Sequence, residues 1–404
     1  MAMRILIADA FEQSGIDALL ARGYEVDLRP SLQSDELPAA VAQADVLVVR
    51  STRVEAATFA AESPLGLVIR AGAGTNTIDI EAAAQYGVFV ANVPGKNAIA
   101  VAELTIGLII ALDRRIPDNV IDARAGKWNK KTYSQAGGLF GKALGLLGVG
   151  QIGLAVMERA VALGLTPVVI DKHRDDETAA RLKKAGAESV TDLAELLARA
   201  DIVSLHLPAA PDTKGLVDAG FLSQMKEGGW LINTSRGDLI DEEALIKAIE
   251  ERGLRAAIDV FADEPAGGTG EFSSQLAQHP AVYATHHIGA STAQAQEAVA
   301  AEVVAMIADY EHGQVRNVVN LTPPPPVGSI LTVRHHDRVG VLSAVLSTLK
   351  EAGLNVQEMQ NQVFAGAGAA VATIHVAGEV PETARAEVQA NPDVIHLSVR
   401  TALP

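Results

Sequence analysis

The chain has 404 residues, a net charge of −16 at pH 7, 49% hydrophobic residues, 4% aromatic residues and no cysteine. This length predicts two to four domains, and the predominance of aliphatic side chains favours parallel sheets covered by helices on both faces. The acidic charge argues against nucleic acid and anionic membranes as partners, and the lack of cysteine excludes disulfides, thiolate metal sites and a cysteine nucleophile.

The first residues and the most apolar stretch predict neither export nor membrane insertion. The opening apolar run contains Arg4 and Asp9, which is unlike a secretory signal. The stretch Ala98–Leu112 contains Glu103 and is too short to span a bilayer. We therefore expect a cytoplasmic protein with no membrane partner.

Residues 1–94 alternate short apolar runs with helical patterns, which predicts a first α/β unit. We expect strands at Ile5–Ala8, Val46–Val49, Leu67–Ile69 and Val88–Val90, and helices at Ser14–Arg22 and Glu55–Glu62. This unit has no glycine motif for phosphate, so we do not expect it to hold a nucleotide.

Residues 95–285 form a second predicted unit, which is centred on a glycine-rich turn. The apolar run Leu144–Leu147 predicts a buried strand, and Gly148, Gly150 and Gly153 follow it in G-x-G-x-x-G spacing. In such a turn the first glycine permits a tight bend and the second admits a pyrophosphate. The third lets the following helix pack on the strand.

The sequence after the turn indicates which dinucleotide is bound. The helix that opens with Gln151 and Ile152 would direct its free N–H groups at the phosphates. A second strand, Pro167–Ile170, ends in Asp171, about 20 residues after the turn, where an acid takes the ribose hydroxyls. Because this acid repels a 2′-phosphate, we predict NAD rather than NADP as the cofactor.

The rest of the second unit repeats the alternation of strands and helices. Further strands are predicted at Ile202–His206, Trp230–Asn233, Ala256–Asp259 and Val282–Ala284. The helix Asp241–Arg252 opens on an acidic run that suits a helix N-terminus. A doubly wound, Rossmann-like NAD-binding domain requires several strands after the glycine-rich turn, and the sequence predicts them.

A long helix and a proline-rich segment follow. Ser291–Glu311 has a helical pattern with Thr292 as a candidate cap. We assign residues 286–320, together with residues 1–94, to a discontinuous substrate-binding domain. The segment 321–328 contains four consecutive prolines and predicts an extended linker.

Residues 329–404 predict a separate small domain. We expect strands at Ser329–Arg334, Leu354–Val363, Ala369–Ala377 and Val394–Arg400, and helices at Val339–Ala352 and Pro381–Gln389. The order βαββαβ is that of the ferredoxin-like fold. The predicted fold class is therefore α/β, with two Rossmann-like or flavodoxin-like doubly wound domains and a C-terminal ferredoxin-like domain.

Six sequence blocks resemble those of a known family, the D-isomer-specific 2-hydroxyacid dehydrogenases, in order and spacing. They are RAGAGTNTIDIEAA (70–83), NAIAVAEL (97–104), GLLGVGQIG, LINTSRGDLIDEEAL (231–245), AAIDVFADEP (256–265) and HIGASTAQAQ (287–296). Within the family, the chain is most similar to the members that oxidise D-3-phosphoglycerate with NAD and end in a regulatory ACT domain. The resemblance implies a cytoplasmic oxidoreductase that begins L-serine synthesis and acts as a homodimer or homotetramer.

The resemblance places the family's catalytic residues on Arg236 in NTSRG, Glu264 in FADEP and His287 in HIGAST. His287 would take the hydroxyl proton as a hydride leaves C2, and Glu264 would fix the tautomer of the histidine. Arg236 would hold the substrate carboxylate through two hydrogen bonds. Because the run I-G-A-S-T sets the register on His287, we choose it over the adjacent His286. At the position of His286 the family usually has proline or another residue.

Substrate-binding residues follow from the same resemblance. Arg50, Ser51 and Arg53 in VVRSTR resemble a stretch that receives the substrate phosphate, although Arg53 can instead point to solvent. Gly74 lies in a loop whose backbone amides touch the substrate carboxylate, and Asn97 opens a second family block. We include both in the predicted substrate site.

Two residues of KWNKK, Trp128 and Lys130, resemble a pair that reaches into the site of a neighbouring subunit. An exposed aromatic residue on a polar loop suits an interface anchor, but packing within its own subunit is an equal alternative.

On the cofactor side, Thr234, Ser235 and Asp259 match positions that line the nicotinamide. His206 and Pro208 match the strand end that flanks the adenine. An amphipathic strand end would give the same pattern without a ligand.

The segment 335–356 resembles the ACT signature. In serine-sensitive members, a histidine and two asparagines bind L-serine across a dimer. His335 and Asn355 match, whereas Asp337 stands in place of asparagine and Val339 in place of proline. An aspartate can accept from the serine ammonium but repels the carboxylate, so feedback by L-serine and a domain used only for assembly both remain open.

Two other functions stay open at this point. A glyoxylate, hydroxypyruvate or other 2-oxo acid reductase would share the catalytic residues, but Arg50, Arg53 and the ACT domain argue against it. A corepressor-like NADH sensor would keep the fold without turnover, but such proteins usually carry disordered tails.

Overall fold

The computed structural model describes residues 2–265, 270–322 and 328–401. The chain separates into two units, Met1–Asn320 and Leu321–Pro404. The first unit contains a five-stranded and a seven-stranded parallel sheet, and the second contains a four-stranded antiparallel sheet. This arrangement confirms the predicted fold class.

The first sheet is built from short, mostly apolar strands joined by helices. In chain order these elements are β1 Arg4–Ile7, α1 Gln13–Ala21, β2 Glu25–Leu28, α2 Leu37–Ala40, β3 Val46–Val49, α3 Ala56–Phe59, β4 Leu67–Arg70, α4 Ile80–Gln85 and β5 Phe89–Asn92. The strands are parallel in the order β2-β1-β3-β4-β5, which is the flavodoxin-like order.

The second sheet begins after three helices, α5 Ala98–Arg114, α6 Ile116–Arg124 and α7 Lys130–Tyr133. Its elements are β6 Ala143–Leu147, α8 Gln151–Ala162, β7 Thr166–Ile170, α9 Asp176–Lys184, β8 Glu188–Val190, α10 Leu193–Arg199, β9 Ile202–Leu205, α11 Ala219–Gln224, β10 Trp230–Asn233, α12 Glu242–Arg252, β11 Arg255–Ile258, α13 Gln275–Gln278 and β12 Val282–Ala284. The parallel order is β12-β11-β10-β9-β6-β7-β8, a Rossmann sheet with one further strand. The strand order reverses beside β6, where the glycine-rich turn lies.

The last helix of the first unit returns to the first sheet. This helix, α14 Ala293–Glu311, is capped by Thr292, whose Oγ1 accepts the N–H of Ala295 as predicted. Its apolar residues share a core with β1, β3 and β4. Beyond it, Val319 donates to the carbonyl of Val90 at 2.8 Å, so the chain also pairs with β5. This packing agrees with the predicted discontinuous domain, whose boundaries stay a prediction.

Two edge strands, β2 and β8, were absent from the sequence prediction. β2 has one half-buried and three exposed residues, and β8 is only three residues long. Because a sheet edge is half solvated, such strands lack the apolar run that marks a central strand.

The second unit has the predicted order βαββαβ. Its elements are β13 Gly328–His336, α15 Val341–Glu351, β14 Val356–Val363, β15 Ala369–Ala377, α16 Glu382–Ala390 and β16 Val394–Thr401. The antiparallel order β14-β15-β13-β16 is ferredoxin-like, and both helices share one core with the sheet. The predicted linker 321–328 overlaps this unit: Gly328 already belongs to β13, and residues 323–327 lie outside the described residues.

Among the described residues, the structure contains no helix of the length and hydropathy needed to cross a membrane.

Candidate active site

Three neighbouring strands of the second sheet end in the predicted catalytic residues. Arg236 follows β10, Glu264 follows β11 and His287 follows β12. Because the three strands are adjacent and parallel, their carboxyl ends meet at one edge, where open α/β sheets bind ligands.

His287 and Glu264 form a hydrogen-bonded pair. The imidazole Nδ1 lies 2.7 Å from Glu264 Oε2, and Glu264 Oε1 accepts the backbone N–H of Phe261 at 2.9 Å. Burial raises the pKa of Glu264, but the hydrogen bonds from His287 and Phe261 and the charges of His287 and Arg236 outweigh it, so the pKa is lowered overall. An ionised Glu264 fixes the proton on Nδ1 and leaves Nε2 as the basic atom.

The loop that carries His287 is held by Asp259. His287 has φ 51°, in the left-handed region, and its N–H donates to the carbonyl of Asp259 at 2.7 Å. The Asp259 carboxylate, 1% exposed, accepts from Thr285 Oγ1 at 2.5 Å and from the N–H groups of Ile288 and Gly289 at 3.0 and 2.9 Å. Asp259, predicted at the nicotinamide, thus also orients the histidine loop.

Arg236 is positioned by a residue that the sequence analysis missed, Asn233. Asn233 Oδ1 accepts from the N–H and Oγ of Ser235 at 3.0 and 2.7 Å, and its Nδ2 donates to the carbonyl of Arg236 at 2.8 Å. Burial lowers the pKa of Arg236, while the charge of Glu264 opposes the shift. The only signal in the sequence is that Asn233 ends its strand next to the TSRG run.

The sequence analysis also missed Arg70, on which the charges of Arg236 and Arg50 act. Burial together with the charges of Arg236 and Arg50 lowers the pKa of Arg70 to about 10, and Asp9 opposes the shift. Its Nε has no hydrogen-bond partner among the described residues. With a pKa of about 10, Arg70 stays positive at neutral pH, so its positive charge lies within range of both Arg50 and Arg236, and Arg236 is in turn within range of Glu264.

Two glycines make room for these guanidiniums. A Cβ at Gly74 would lie 2.5 Å from Arg236 Nη2, and one at Gly72 would overlap Arg70 Nη1. Gly74, a predicted substrate residue, therefore has a steric role as well.

The other predicted substrate residues are more exposed. Ser51 and Arg53 are exposed, and the described hydrogen bond at Arg53 is made by its carbonyl, from Ser34 Oγ at 2.7 Å. The charge of Arg50 thus acts on the buried Arg70, whereas the side chain of Arg53 is exposed. Asn97 is half-buried, and its Oδ1 has no partner among the described residues.

The glycine-rich turn has the shape expected for a dinucleotide. Gly148 has φ 99°, and a Cβ there would overlap the carbonyl of His206. A Cβ at Gly153 would overlap the carbonyl of Gly148, so the helix packs directly on the turn. At Gly150 a Cβ would meet no described atom within 4 Å, which leaves space for a pyrophosphate. Asp171 is exposed after β7.

The other predicted cofactor residues differ in burial and in partners. Thr234 Oγ1 bonds Thr105 Oγ1 at 2.8 Å, and Ser235 is buried. Gln151 stands against Gly95, Ile152 is half-buried and Pro208 is exposed. The Nδ1 of His206 is buried with no partner among the described residues. An orphaned polar atom beside an open turn fits a polar cofactor.

The burial of His206 should make the stability of the protein sensitive to acid. Its Nε2 bonds Ser204 Oγ at 2.9 Å, and burial lowers its pKa from 6.5 to about 4. Between these values the unfolded chain binds the proton more readily, so the free energy of unfolding should fall as the pH drops. We expect a loss of about 2 kcal/mol from pH 7 to pH 5 through this residue.

Urea unfolding followed by tryptophan fluorescence at both pH values measures this loss. His206→Gln should remove most of it, whereas His173→Gln, at an exposed histidine, should not. An equal pH dependence in wild type and His206→Gln would contradict the assignment.

The predicted regulatory residues lie in the second unit. His335 is 2% exposed, with Nδ1 2.8 Å from the carbonyl of His336 and Nε2 3.1 Å from Asn361 Oδ1. Asp337 and Asn355 are exposed. The described bonds of His335 thus go to His336 and Asn361, and ligand binding here stays a prediction.

Comparison with known proteins identifies the family. The family profile described as D-isomer specific 2-hydroxyacid dehydrogenase, NAD binding domain, matches residues 106–289. D-3-phosphoglycerate dehydrogenase of Escherichia coli (strain K12) is 34% identical over 404 residues, covering 97% of this chain and 96% of that protein. The chain belongs to the D-isomer specific 2-hydroxyacid dehydrogenases.

Compared with the Escherichia coli enzyme, other relatives either are covered over a smaller share of their length or have a lower sequence identity. D-3-phosphoglycerate dehydrogenase of Methanocaldococcus jannaschii is 37% identical over 326 residues, 80% of this chain and 60% of the relative. The chain therefore spans about three fifths of that protein. The NAD+-bound 3-phosphoglycerate dehydrogenase of Entamoeba histolytica is 28% identical with a TM-score of 0.65, covering 80% of this chain and 100% of that structure.

The NAD-binding domain of the family includes the glycine-rich turn and the three predicted catalytic residues. NAD, the predicted cofactor, is thereby confirmed as the cofactor of this dehydrogenase domain. Two features of this domain fit NAD: the open space at Gly150, and the buried Nδ1 of His206, which has no partner among the described residues.

Proposed function

We propose that the protein oxidises D-3-phosphoglycerate to 3-phosphohydroxypyruvate with NAD, as the first step of L-serine synthesis. One observation carries the proposal: the charges of Arg50 and Arg236 both act on the buried Arg70, and the charge of Arg236 also acts on Glu264, which is hydrogen-bonded to His287. A substrate with an anion at each end and a hydroxyl between them matches this charge distribution.

His287 is the acid–base group in this proposal. Bound NAD supplies the hydride acceptor. As the hydride leaves C2, Nε2 of His287 takes the hydroxyl proton, and the carboxylate of Glu264 stabilises the imidazolium at 2.7 Å. In the reverse direction the same imidazolium returns the proton to the 2-oxo oxygen.

The arginines divide the two ends of the substrate between them. Arg236, next to Glu264, holds the carboxylate and polarises the oxygen at C2. Arg50 follows β3 and Arg70 ends β4 of the first sheet, and the two hold the terminal phosphate. A phosphate binds two guanidiniums strongly because both charge and fork geometry match.

Oxidation of NADH with 3-phosphohydroxypyruvate, hydroxypyruvate and glyoxylate in parallel tests the proposal. We expect a preference in kcat/KM of about a hundredfold or more for the phosphorylated acid, which corresponds to about 2.7 kcal/mol. Equal or better turnover of the unphosphorylated acids would identify a general 2-oxo acid reductase instead. NADH binding without turnover of any of the three would favour a sensor.

We further propose that the protein is a homodimer through α6 and the segment after it. Support comes from apolar side chains exposed there, of which Trp128 is 90% and Phe140 91% exposed, along with Ile121. Exposed aromatic residues of this size are typical of interface anchors. Lys130, the other residue predicted here, begins α7 two residues after Trp128.

Light scattering coupled to gel filtration should give twice the chain mass of 42.1 kDa. Trp128→Ala should weaken the dimer about tenfold or more because it removes a large side chain that the proposed interface would bury. Tyr86→Ala, at another exposed aromatic residue, should leave the mass unchanged. An unchanged dimer in Trp128→Ala would contradict this interface, and a fourfold mass would indicate a tetramer.

A cytoplasmic location and inhibition by L-serine belong to the same proposal. The absence of cysteine agrees with a reducing compartment. The ferredoxin-like second unit and the buried His335 support an ACT domain, for which L-serine is the candidate ligand.

A further inference from the structure

Asp9 contacts the segment that carries Arg50 in an unusual way. Its Oδ2 accepts three successive backbone N–H groups, from Arg50 at 2.7 Å and from Ser51 and Thr52 at 3.1 Å each. Thr52 Oγ1 lies 3.4 Å from the carbonyl of Ala8. The backbone after β3 therefore curls around a carboxylate and forms an anion-binding concavity that the protein fills itself.

The position of Asp9 in the sheet explains this contact. β1 and β3 are adjacent and parallel, so Asp9 and Arg50 emerge at the same edge, and β4 brings Arg70 beside them. Asp9 is also close enough to Arg70 for its charge to act on that guanidinium.

Filling the concavity has two physical effects. First, the three N–H groups are not available to the substrate, so a phosphate at this edge is held by side chains rather than by the main chain. Second, the three hydrogen bonds fix the backbone of Arg50 and so restrict where its guanidinium can lie relative to Arg70.

We propose that Asp9 is a positioning residue for the subsite that holds the terminal anion of the substrate. It acts through Arg50, by holding the segment 50–52 with three hydrogen bonds. This inference rests on the proposed function, because it assumes that Arg50 and Arg70 bind the phosphate. It assigns to Asp9 a role in discriminating phosphorylated from unphosphorylated acids, with no part in the hydride or proton transfer.

The test compares Asp9→Ala with Asp9→Asn, using 3-phosphohydroxypyruvate and hydroxypyruvate as substrates. Asp9→Ala removes the acceptor, so KM for the phosphorylated acid should rise about tenfold or more while kcat changes less than about threefold. KM for hydroxypyruvate should stay within about twofold, because that acid lacks the terminal anion. Asp9→Asn keeps an acceptor oxygen. Its preference for 3-phosphohydroxypyruvate over hydroxypyruvate should therefore stay within about threefold of wild type.

The control is Asp17→Ala, which removes an exposed carboxylate that accepts a hydrogen bond from Gln13 in α1 and should leave both KM values unchanged. If Asp9→Ala does not fold, Asp9→Ser takes its place, since the serine hydroxyl is too short to reach the three N–H groups.

Three results would overturn the inference: an unchanged preference in Asp9→Ala, an equal rise in KM for both acids, or an equal loss in Asp9→Asn and Asp9→Ala. The last would mean that charge rather than hydrogen bonding is responsible. Failure of the proposed function looks different, because wild type itself would then show no preference for the phosphorylated acid, and the inference would fall with it.

Discussion

Replacing His287 by alanine should lower kcat by roughly a thousandfold in both directions, because general acid–base catalysis contributes about this much. The imidazole is the group that Glu264 orients at 2.7 Å, and its loop is tied down by Asp259. The binding of NADH should stay within about threefold of wild type, since the glycine-rich turn is separate from this pair. Steady-state kinetics and fluorescence titration with NADH measure the two quantities.

The adjacent histidine provides the control for this prediction. His286 is exposed and stands one residue before His287, so His286→Ala should be much milder. Near-normal kcat in His287→Ala, or a larger loss in His286→Ala, would mean that the choice between the two histidines is wrong. A loss of NADH binding in His287→Ala would indicate a disturbed fold instead.

Replacing Arg70 by alanine should lower kcat/KM for 3-phosphohydroxypyruvate by about a hundredfold or more, since a charge-assisted contact to a phosphate is lost. The kcat/KM of the same variant for hydroxypyruvate should change less than about fivefold. Arg70 is held by burial next to Arg50 and Arg236, with its Nε free of partners among the described residues. Parallel kinetics with the two acids separate a phosphate contact from a general effect.

Arg53→Ala is the matched control. Arg53 is likewise an arginine near the strand ends of the first sheet, but its side chain is exposed. We expect its kcat/KM for either acid to stay within about threefold of wild type. A large, phosphate-specific loss in Arg53→Ala with little effect in Arg70→Ala would restore the pair Arg50 and Arg53 that the sequence alone predicts.

The central strands and the glycine-rich turn could be predicted because their signals are local. Val46–Val49 and Trp230–Asn233 are bounded in the structure as the sequence predicts, since each is an apolar run buried on both faces. The glycine-rich turn is recognised from a local spacing: a Cβ at Gly153 would overlap the carbonyl of Gly148, one at Gly148 would overlap the carbonyl of His206 at the neighbouring strand end, and Gly150 leaves open space.

Residues whose role depends on another strand could not be predicted in this way. Arg70 ends a strand that looks like any other. The pairing of β3 with β4 brings it to Arg50, and only the tertiary structure brings it within range of Arg236. Asn233 and Asp9 act on backbone groups that the sequence does not locate. His335 was predicted as a ligand residue, and its burial against β14 depends on the antiparallel sheet as a whole.

The return of α14 to the first sheet has a consequence for synthesis on the ribosome. β1 to β5 emerge first, but one face of their core is covered only in part, by α1, until α14 has been made, and β5 gains Val319 as a partner still later. All strands of the second sheet, in contrast, are present once Ala284 has emerged. We therefore expect the second sheet to fold before the first, against the usual order in which N-terminal domains fold first. Until then, the aliphatic face of the nascent first sheet is a surface for chaperones to bind.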